Sequence, residues 1–244
     1  CPPGPYERVS MVAHYLKTKK PKSKILILDA KENFSKQGLF MGGWKALYDG
    51  MIEWVPLAKD GKVVKVDPKT KQLECELGAK HKGDVVNIVP PQRAGAIAMA
   101  AGVNQGDWCP INPENFSSRK VQNIYVLGDA SIATEMPKSA FSANSQAKVV
   151  AADIVAALAK KDKFEPRFRN TCWSLLAPDD SVKIGANYAP KDGKLDPSGS
   201  FVSQRGEAAD VRKQNYQEST AWYANITAEM FAKAAPAAAA KKAR

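Results

Sequence analysis

Two cysteines at opposite ends of the chain stand in unusual company. Cys1 is followed by Pro2-Pro3-Gly4-Pro5, and Cys172 lies between Asn170-Thr171 and Trp173. Thiols that meet in space exchange between dithiol and disulfide, and a sulfur nucleophile enters such a bond by thiolate-type attack on one sulfur. The same spacing also suits two unrelated buried thiols, a common fate of free cysteine. Glu7 falls in the first turn of an expected helix, where a carboxylate favours the helix dipole without any further role. Cys75 and Cys109 read as structural. Four cysteines are too few for a disulfide scaffold, and their even number permits three full pairings that spacing does not rank.

A second cluster of chemistry-bearing residues begins at Gly128-Asp129. The apolar run Val121 to Leu127 ends there, and in α/β sheets the loops at the carboxyl ends of strands line the ligand crevice. Glycine allows a tight turn, and the aspartate accepts ribose-like hydroxyls; alone, the pair is as readily a turn or a cap. Met136-Pro137-Lys138-Ser139-Ala140-Phe141-Ser142 then leads into a helix. Its free amides and positive dipole end would face an anion, such as the pyrimidine end of a reduced flavin. The chain contains no Gly-x-Gly-x-x-Gly element, no phosphate-binding Walker loop and no His-rich zinc spacing. His14 and His81 are isolated, which favours packed or solvated roles over catalysis.

These residues must be held by a mixed α/β scaffold. Tyr6 to Lys17 carries apolar residues at helical spacing, Ile25 to Asp29 reads as a strand buried on both faces of a parallel sheet, and Ser35 to Tyr48 predicts a second helix. Ile52 to Val55, Lys62 to Val66, Gln72 to Leu77 and Asp84 to Val89 read as strands between polar turns. Pro90-Pro91 marks a crossing between domains, followed by a short helix from Arg93 to Ala101. Val121 to Leu127 is expected as a buried strand and Ser142 to Lys160 as a long helix. Strands follow at Thr171 to Leu176 and Lys183 to Tyr188, a loop over 189–200, and a helix from Glu207 to Phe231. Residues 232–244 form an Ala/Lys tail expected to be mobile.

The 244 residues suffice for one large or two ordinary domains, and 44% hydrophobic with 25% charged residues excludes collagen-like, wholly disordered and small disulfide-stapled classes. The longest apolar stretch, Val149 to Ala159, is interrupted by Asp153 and is far short of the roughly 20 residues that span a bilayer. A soluble protein without a membrane span is expected. The net charge of +11 suits an anionic partner, but the lysines are scattered over helix ends, turns and tail without interleaved aromatics, which argues against nucleic acid. A chain opening on Cys1 rather than Met suggests a processed or truncated product.

Taken together, the segments Cys1 to Arg8, Asn87 to Gly95, Trp108-Cys109-Pro110, Gly128 to Ala133, Met136 to Ser139, Ser142 to Gln146, Asn170-Thr171-Cys172 and Trp222-Tyr223 resemble one family. It is the flavin-binding subunit of flavocytochrome c sulfide dehydrogenase, with the SoxF-like sulfur-oxidation flavoproteins as close relatives. The resemblance implies a glutathione-reductase-like architecture with two dinucleotide folds and an α+β C-terminal interface domain, the amino-terminal half being absent from this chain. On that reading residues 1–91 are the remainder of the second dinucleotide fold, 92–162 the closing part of the FAD domain and 163–231 the interface domain. It also implies that Cys1 and Cys172 form a redox disulfide beside FAD, that Glu7 is an acid/base, and that Gly128 and Asp129 bind the ribityl chain. Pro137, Lys138 and Ser139 would then lie at the flavin pyrimidine, and Phe141 and Trp222 between flavin and haem. Phe141 stands where the family pattern has tyrosine, so a role for that hydroxyl is lost. The implied activity is periplasmic sulfide oxidation with electrons passed to a c-type cytochrome subunit, the missing amino-terminal part completing the cofactor site. The alternatives are a sulfide:quinone oxidoreductase, against which the lack of an apolar amphipathic tail counts, and a non-catalytic accessory flavoprotein.

Overall fold

The computed structural model describes residues 2–162 and 164–232. The chain opens on α1 (Gly4–Lys19), which carries Pro5 in its first turn, where a missing N–H leaves no bond unmade, and Lys17 and Lys19 in its last. The strands β1 (Ile25–Leu28) and β2 (Ile52–Val55) pair in parallel and are joined by α2 (Gln37–Leu47), giving a β-α-β unit. Tyr6 and Ala13 of α1, Phe40 and Trp44 of α2, and the following Tyr48 and Met51 bury one face of this unit against Ile25 and Ile27. Trp44 Nε1 donates to Ser10 Oγ at 2.8 Å, so the polar edge of the indole is paired inside the core.

The strands β3 (Val63–Asp67), β4 (Gln72–Cys75) and β5 (Lys80–Lys82) form a small antiparallel sheet. The short helix α3 (Ala96–Ala100) packs over Val103 and Cys109. A parallel pair, β6 (Cys109–Pro110) and β7 (Ser131–Ile132), leads to the long helix α4 (Ala140–Leu158). The chain closes with an antiparallel meander of β8 (Phe168–Ala177), β9 (Asp180–Lys191) and β10 (Lys194–Val202), in spatial order β10-β9-β8, covered by α5 (Ala209–Phe231). Asn215 of α5 donates to the Ser181 carbonyl at 3.2 Å, and Arg212 pairs with Asp180, which anchors the helix to β9. On the other side, α4 buries Val149 and Val150 against Phe168, Tyr188 and Leu195.

The mixed α/β class and most helices match the expectation from sequence, and four elements differ. β1 is not buried on both faces: Leu26 is 41% exposed, because the ribbon has two strands and its helices pack on one side. Residues 84–89 are not a strand. β5 is the edge of its sheet, Val85 is 89% exposed, and Pro90 and Pro91 have no N–H to extend a ladder. Residues 121–127 do not enter a sheet but fold back on 116–118, through Ser118 N to Ile124 O at 2.7 Å and Val126 N to Phe116 O at 2.9 Å. Asn123, at φ 61°, makes the reversal. The expected loop over 189–200 is instead the hairpin from β9 to β10. Asp192 and Gly193, both at positive φ, form the turn, and Pro197 is tolerated because β10 is an edge strand. The expected tail lies, apart from Ala232, outside the described residues. Among those residues no helix is long and apolar enough to cross a membrane.

Candidate active site

The other edge strand of the meander, β8, carries Cys172 and lies against α1 and the start of α2. Side chains from those elements take up main-chain groups of the strand. Glu7 Oε1 accepts from Leu175 N at 2.9 Å, Tyr48 Oη donates to the Leu176 carbonyl at 2.7 Å, and Lys36 Nζ donates to the Cys172 carbonyl at 3.0 Å. Capping an edge in this way leaves it closed to pairing with another strand. It also brings Glu7, Lys36 and Cys172 together across 165 residues of chain, a juxtaposition that no local pattern announces.

Lys36 Nζ lies 3.8 Å from Cys172 Sγ. The lysine is the N-cap of α2 and holds φ at 61°, a left-handed conformation uncommon for a side chain of this size. Burial pushes the Cys172 thiol up; the Lys36 ammonium opposes that rise and Glu7 adds to it. Burial likewise raises the Glu7 carboxyl, against the Leu175 N–H and Lys36. Burial holds Lys36 below the usual lysine range, against the pull of Cys172 and Glu7. The cluster therefore holds a sulfur, a cation that favours its thiolate and a carboxyl biased toward its protonated form, the ingredients of thiol chemistry with local proton exchange. Cys1, the other expected member, lies outside the described residues.

Two residues before Cys172, Asn170 ties the strand to α4. Ser139 is the N-cap of α4: its Oγ accepts from Ser142 N at 3.0 Å and donates to Asn170 Oδ1 at 2.6 Å, with both side chains buried. Asn170 and Cys172 point to the same face of β8 by strand alternation. The amide end of α4 thus sits next to the face that carries the thiol. Gly128, at φ 70°, begins a single 3-10 turn, Gly128–Ala130, whose amide donates to Gln146 Oε1 of α4 at 2.7 Å. Asp129 is exposed on that turn, and Pro137 and Lys138 are half-buried. Lys138 Nζ donates to the carbonyls of Asp129 and Ser131 at 2.6 and 2.8 Å and lies 3.8 Å from the centre of the Trp108 ring. Its charge is thus held by its own chain, and burial holds it below the usual lysine range against Asp129.

A third group is aromatic. Phe141 of α4 stacks on Trp222 of α5, with ring centres 5.6 Å apart and planes 18° from parallel. Trp173 of β8 completes the triangle, 6.1 Å from Phe141 and 5.9 Å from Trp222. Trp173 Nε1 donates to Glu218 at 3.2 Å, and Glu218 also accepts from Lys183 at 2.6 Å. Trp173 follows Cys172 directly, so the cluster starts one residue from the thiol. Reasoning from sequence singled out Phe141 and Trp222 but missed Lys36 entirely, since nothing in a surface-like lysine before a helix marks it.

A flavin fits what is present. The exposed Asp129 carboxylate is a hydrogen-bond acceptor of the kind that would take hydroxyls of a ribityl chain. The Gly128 turn lies in contact with α4, where a Cβ on Gly128 would sit 3.4 Å from Ala143 Cβ. The amino end of the 19-residue α4 offers N–H donors and positive potential to the electron-rich end of a reduced ring.

Comparison with known proteins places this geometry in a class. The chain aligns with the sulfide:quinone oxidoreductase of the hyperthermophilic bacterium Aquifex aeolicus at a TM-score of 0.57 and 16% identity, covering 95% of this chain and 59% of that one. A chain in the mitochondrial ATP synthase of Tetrahymena thermophila aligns at 0.56 and 17% identity, covering 86% and 51%. The fold is therefore one shared with a known sulfide:quinone oxidoreductase, and the chain spans little more than half the length of these relatives. Residues 1–90 match the central domain of the sulfide dehydrogenase (flavocytochrome c) flavoprotein chain, and residues 164–231 match the flavin-binding domain of flavocytochrome c sulfide dehydrogenase. These two domains account for more than half of the sequence, and the chain belongs to the flavocytochrome c sulfide dehydrogenase flavoprotein family. The flavin-binding domain match supports FAD as the cofactor.

Proposed function

We propose that this chain is the carboxyl-terminal portion of a periplasmic flavoprotein that oxidises sulfide through a Cys1–Cys172 disulfide and passes the electrons to a c-type cytochrome. The observation that carries this reading is the meeting of the buried Cys172 with the half-buried Lys36 and Glu7, on a strand tied by Asn170 to the amino end of α4. Hydrosulfide attacks one sulfur of the disulfide. The S–S bond breaks, one cysteine keeps the added sulfur as a persulfide and the other departs as a thiolate. Lys36, 3.8 Å from Sγ, stabilises Cys172 as that thiolate. Glu7 holds or returns a proton beside it. Oxidation of HS⁻ to zero-valent sulfur releases one proton and two electrons, and FAD, when bound, supplies the acceptor for both.

Gly128, Asp129, Pro137, Lys138 and Ser139 orient the cofactor, Lys138 also bracing the turn through the Asp129 and Ser131 carbonyls. The Phe141, Trp173 and Trp222 stack offers a route outward, and the surplus of basic charge suits an acidic cytochrome. The fold shared with a sulfide:quinone oxidoreductase supports a second reading, in which a quinone replaces the cytochrome. The test is anaerobic titration of the full flavoprotein with sulfide, followed by addition of cytochrome c or of a quinone. Sulfide is expected to bleach the flavin, and Cys172→Ser to abolish bleaching. Undiminished bleaching in that variant removes the disulfide from the mechanism, and a flavin inert to sulfide leaves an accessory role. Trp222→Ala is expected to slow cytochrome reduction while bleaching persists.

A further inference from the structure

The register of the meander sets Cys172, Ile184 and Val202 side by side across its three strands. At a strand spacing of about 4.8 Å, Val202 lies roughly 10 Å from Cys172. The chain leaves the sheet at that point and crosses to the first turn of α2, where the Arg205 guanidinium occupies the space that a side chain on Gly38 would need. Between this crossing and α2 runs an open groove of about 400 Å³, lined among others by Lys36, Gln37, Leu39, Val202, Gln204 and Arg205. Its charged lining residues, Lys36 and Arg205, are both cations. The far wall is firmly set: Ser203 N donates to the Lys183 carbonyl at 2.9 Å, and Ser203 Oγ accepts from Lys183 N at 3.1 Å. Two acids adjoin the groove without lining it: Glu207, whose Oε1 accepts from Gln204 N at 2.7 Å, and Glu7, whose Oε1 accepts from Leu175 N at 2.9 Å beside Lys36. At the inner end, Lys36 touches Cys172.

The geometry points to this groove as an anion-binding entry to Cys172, which admits small anionic sulfur species, hydrosulfide or a polysulfide chain, past Arg205 to Lys36. This assignment rests on the sulfide-oxidising reading for the identity of the anion, while the groove and its charge stand on their own. A site with two cations and no acid in its lining concentrates anions and repels cations, the more so at low salt.

The probe is a pair of thiol reagents of similar size and opposite charge, sulfonatoethyl and trimethylammonioethyl methanethiosulfonate. Each transfers its alkylthio group to a cysteine thiolate and releases methanesulfinate. Rates at Cys172 in the reduced full flavoprotein, read by peptide mass spectrometry, are divided by the rates at the same cysteine in urea. The anionic reagent is expected to win by about fivefold or more at about 10 mM ionic strength, with the preference lost near 1 M salt. Arg205→Lys keeps the preference, Arg205→Gln reduces it and Arg205→Glu abolishes or inverts it, with circular dichroism checking the fold. A normalised ratio of one or less in the wild type, or a ratio that no folded Arg205 variant changes, overturns the proposal. The assay contains no sulfide and no electron acceptor. An anion preference in a protein whose flavin sulfide cannot bleach therefore keeps the groove and removes the sulfide reading, and bleaching without the preference does the opposite.

Discussion

Replacing Ser139 with alanine removes two bonds at once from the joint between α4 and β8. The first is the N-cap bond to Ser142 N, whose loss costs about 1 kcal/mol. The second is the 2.6 Å bond to Asn170 Oδ1. Ser139 is 6% and Asn170 1% exposed, so bulk water has little access to replace it, and a buried acceptor left unpaired costs about 1–3 kcal/mol. Together the change is expected to destabilise the joint by about 2–4 kcal/mol, which is on the order of 30-fold to several hundred-fold in its opening equilibrium. Native-state hydrogen exchange at the Ser142 and Ala143 amides of the full flavoprotein reads that equilibrium locally, where a global midpoint would mix domains. Ser139→Thr keeps the hydroxyl and is expected to stay near wild type. In a double-mutant cycle with Asn170→Ala, the pair should show coupling of about 0.5 kcal/mol or more. Exchange in Ser139→Ala within about 0.5 kcal/mol of wild type would refute the reasoning, because neither bond would then be holding the amino end of α4 against the thiol-bearing strand.

Lys36→Met removes the ammonium beside Cys172 Sγ, and alkylation of the reduced thiol by iodoacetamide at fixed neutral pH should slow by about tenfold. That lies inside the ~4 kcal/mol ceiling for unit charges about 4 Å apart at an effective dielectric of about 20. Lys36→Arg should recover most of the rate. Glu7, with its carboxyl raised above the ordinary value of 4.5, makes the folded state bind more protons than the unfolded one. Wild-type stability therefore falls as pH rises from that ordinary value through the raised one; Glu7→Gln, which keeps an acceptor for Leu175 N, should flatten the part of the urea-midpoint profile that lies above the ordinary value. Asp29 stands at the end of β1 and is 5% exposed. Burial would raise its carboxyl, but bonds from Lys31, Tyr6 and Trp54 together hold it low. Asp29→Ala leaves the Tyr6 hydroxyl and Trp54 indole without their acceptor and should cost about 3 kcal/mol or more by chemical denaturation.

Local chemistry was legible where one stretch of chain contains the whole signal. The apolar spacing in α1, α2 and α4 shows in the sequence because helical neighbours are three or four residues apart. The hairpin at Asp192-Gly193 was legible in principle, since both residues favour positive φ, but the surrounding Pro, Asp and Ser read as loop. Residues 84–89 and 121–127 show the reverse failure. Their apolar runs suit strands, yet a strand needs a partner edge along its length: residues 84–89 meet none, and 121–127 make only a single bridge, Tyr125 to Ser117, where the chain folds back on itself.

Residue types and order alone determined the family resemblance, the flavin-compatible turn at Gly128-Asp129, and the candidacy of Cys172, Glu7, Phe141 and Trp222, because each is a matter of which groups the chain carries. Only the tertiary structure decided that Lys36 belongs with Cys172 and Glu7, that Trp173 joins the two aromatics, and that Lys138 turns to its own carbonyls. The first depends on β8 being an edge strand whose main chain attracts side chains more than a hundred residues away, the second on α4 and α5 meeting at that strand, and the third on how Trp108 and the 128–131 turn pack around Lys138. Electrostatics and packing act on distances in space, and the fold of the whole chain sets those distances.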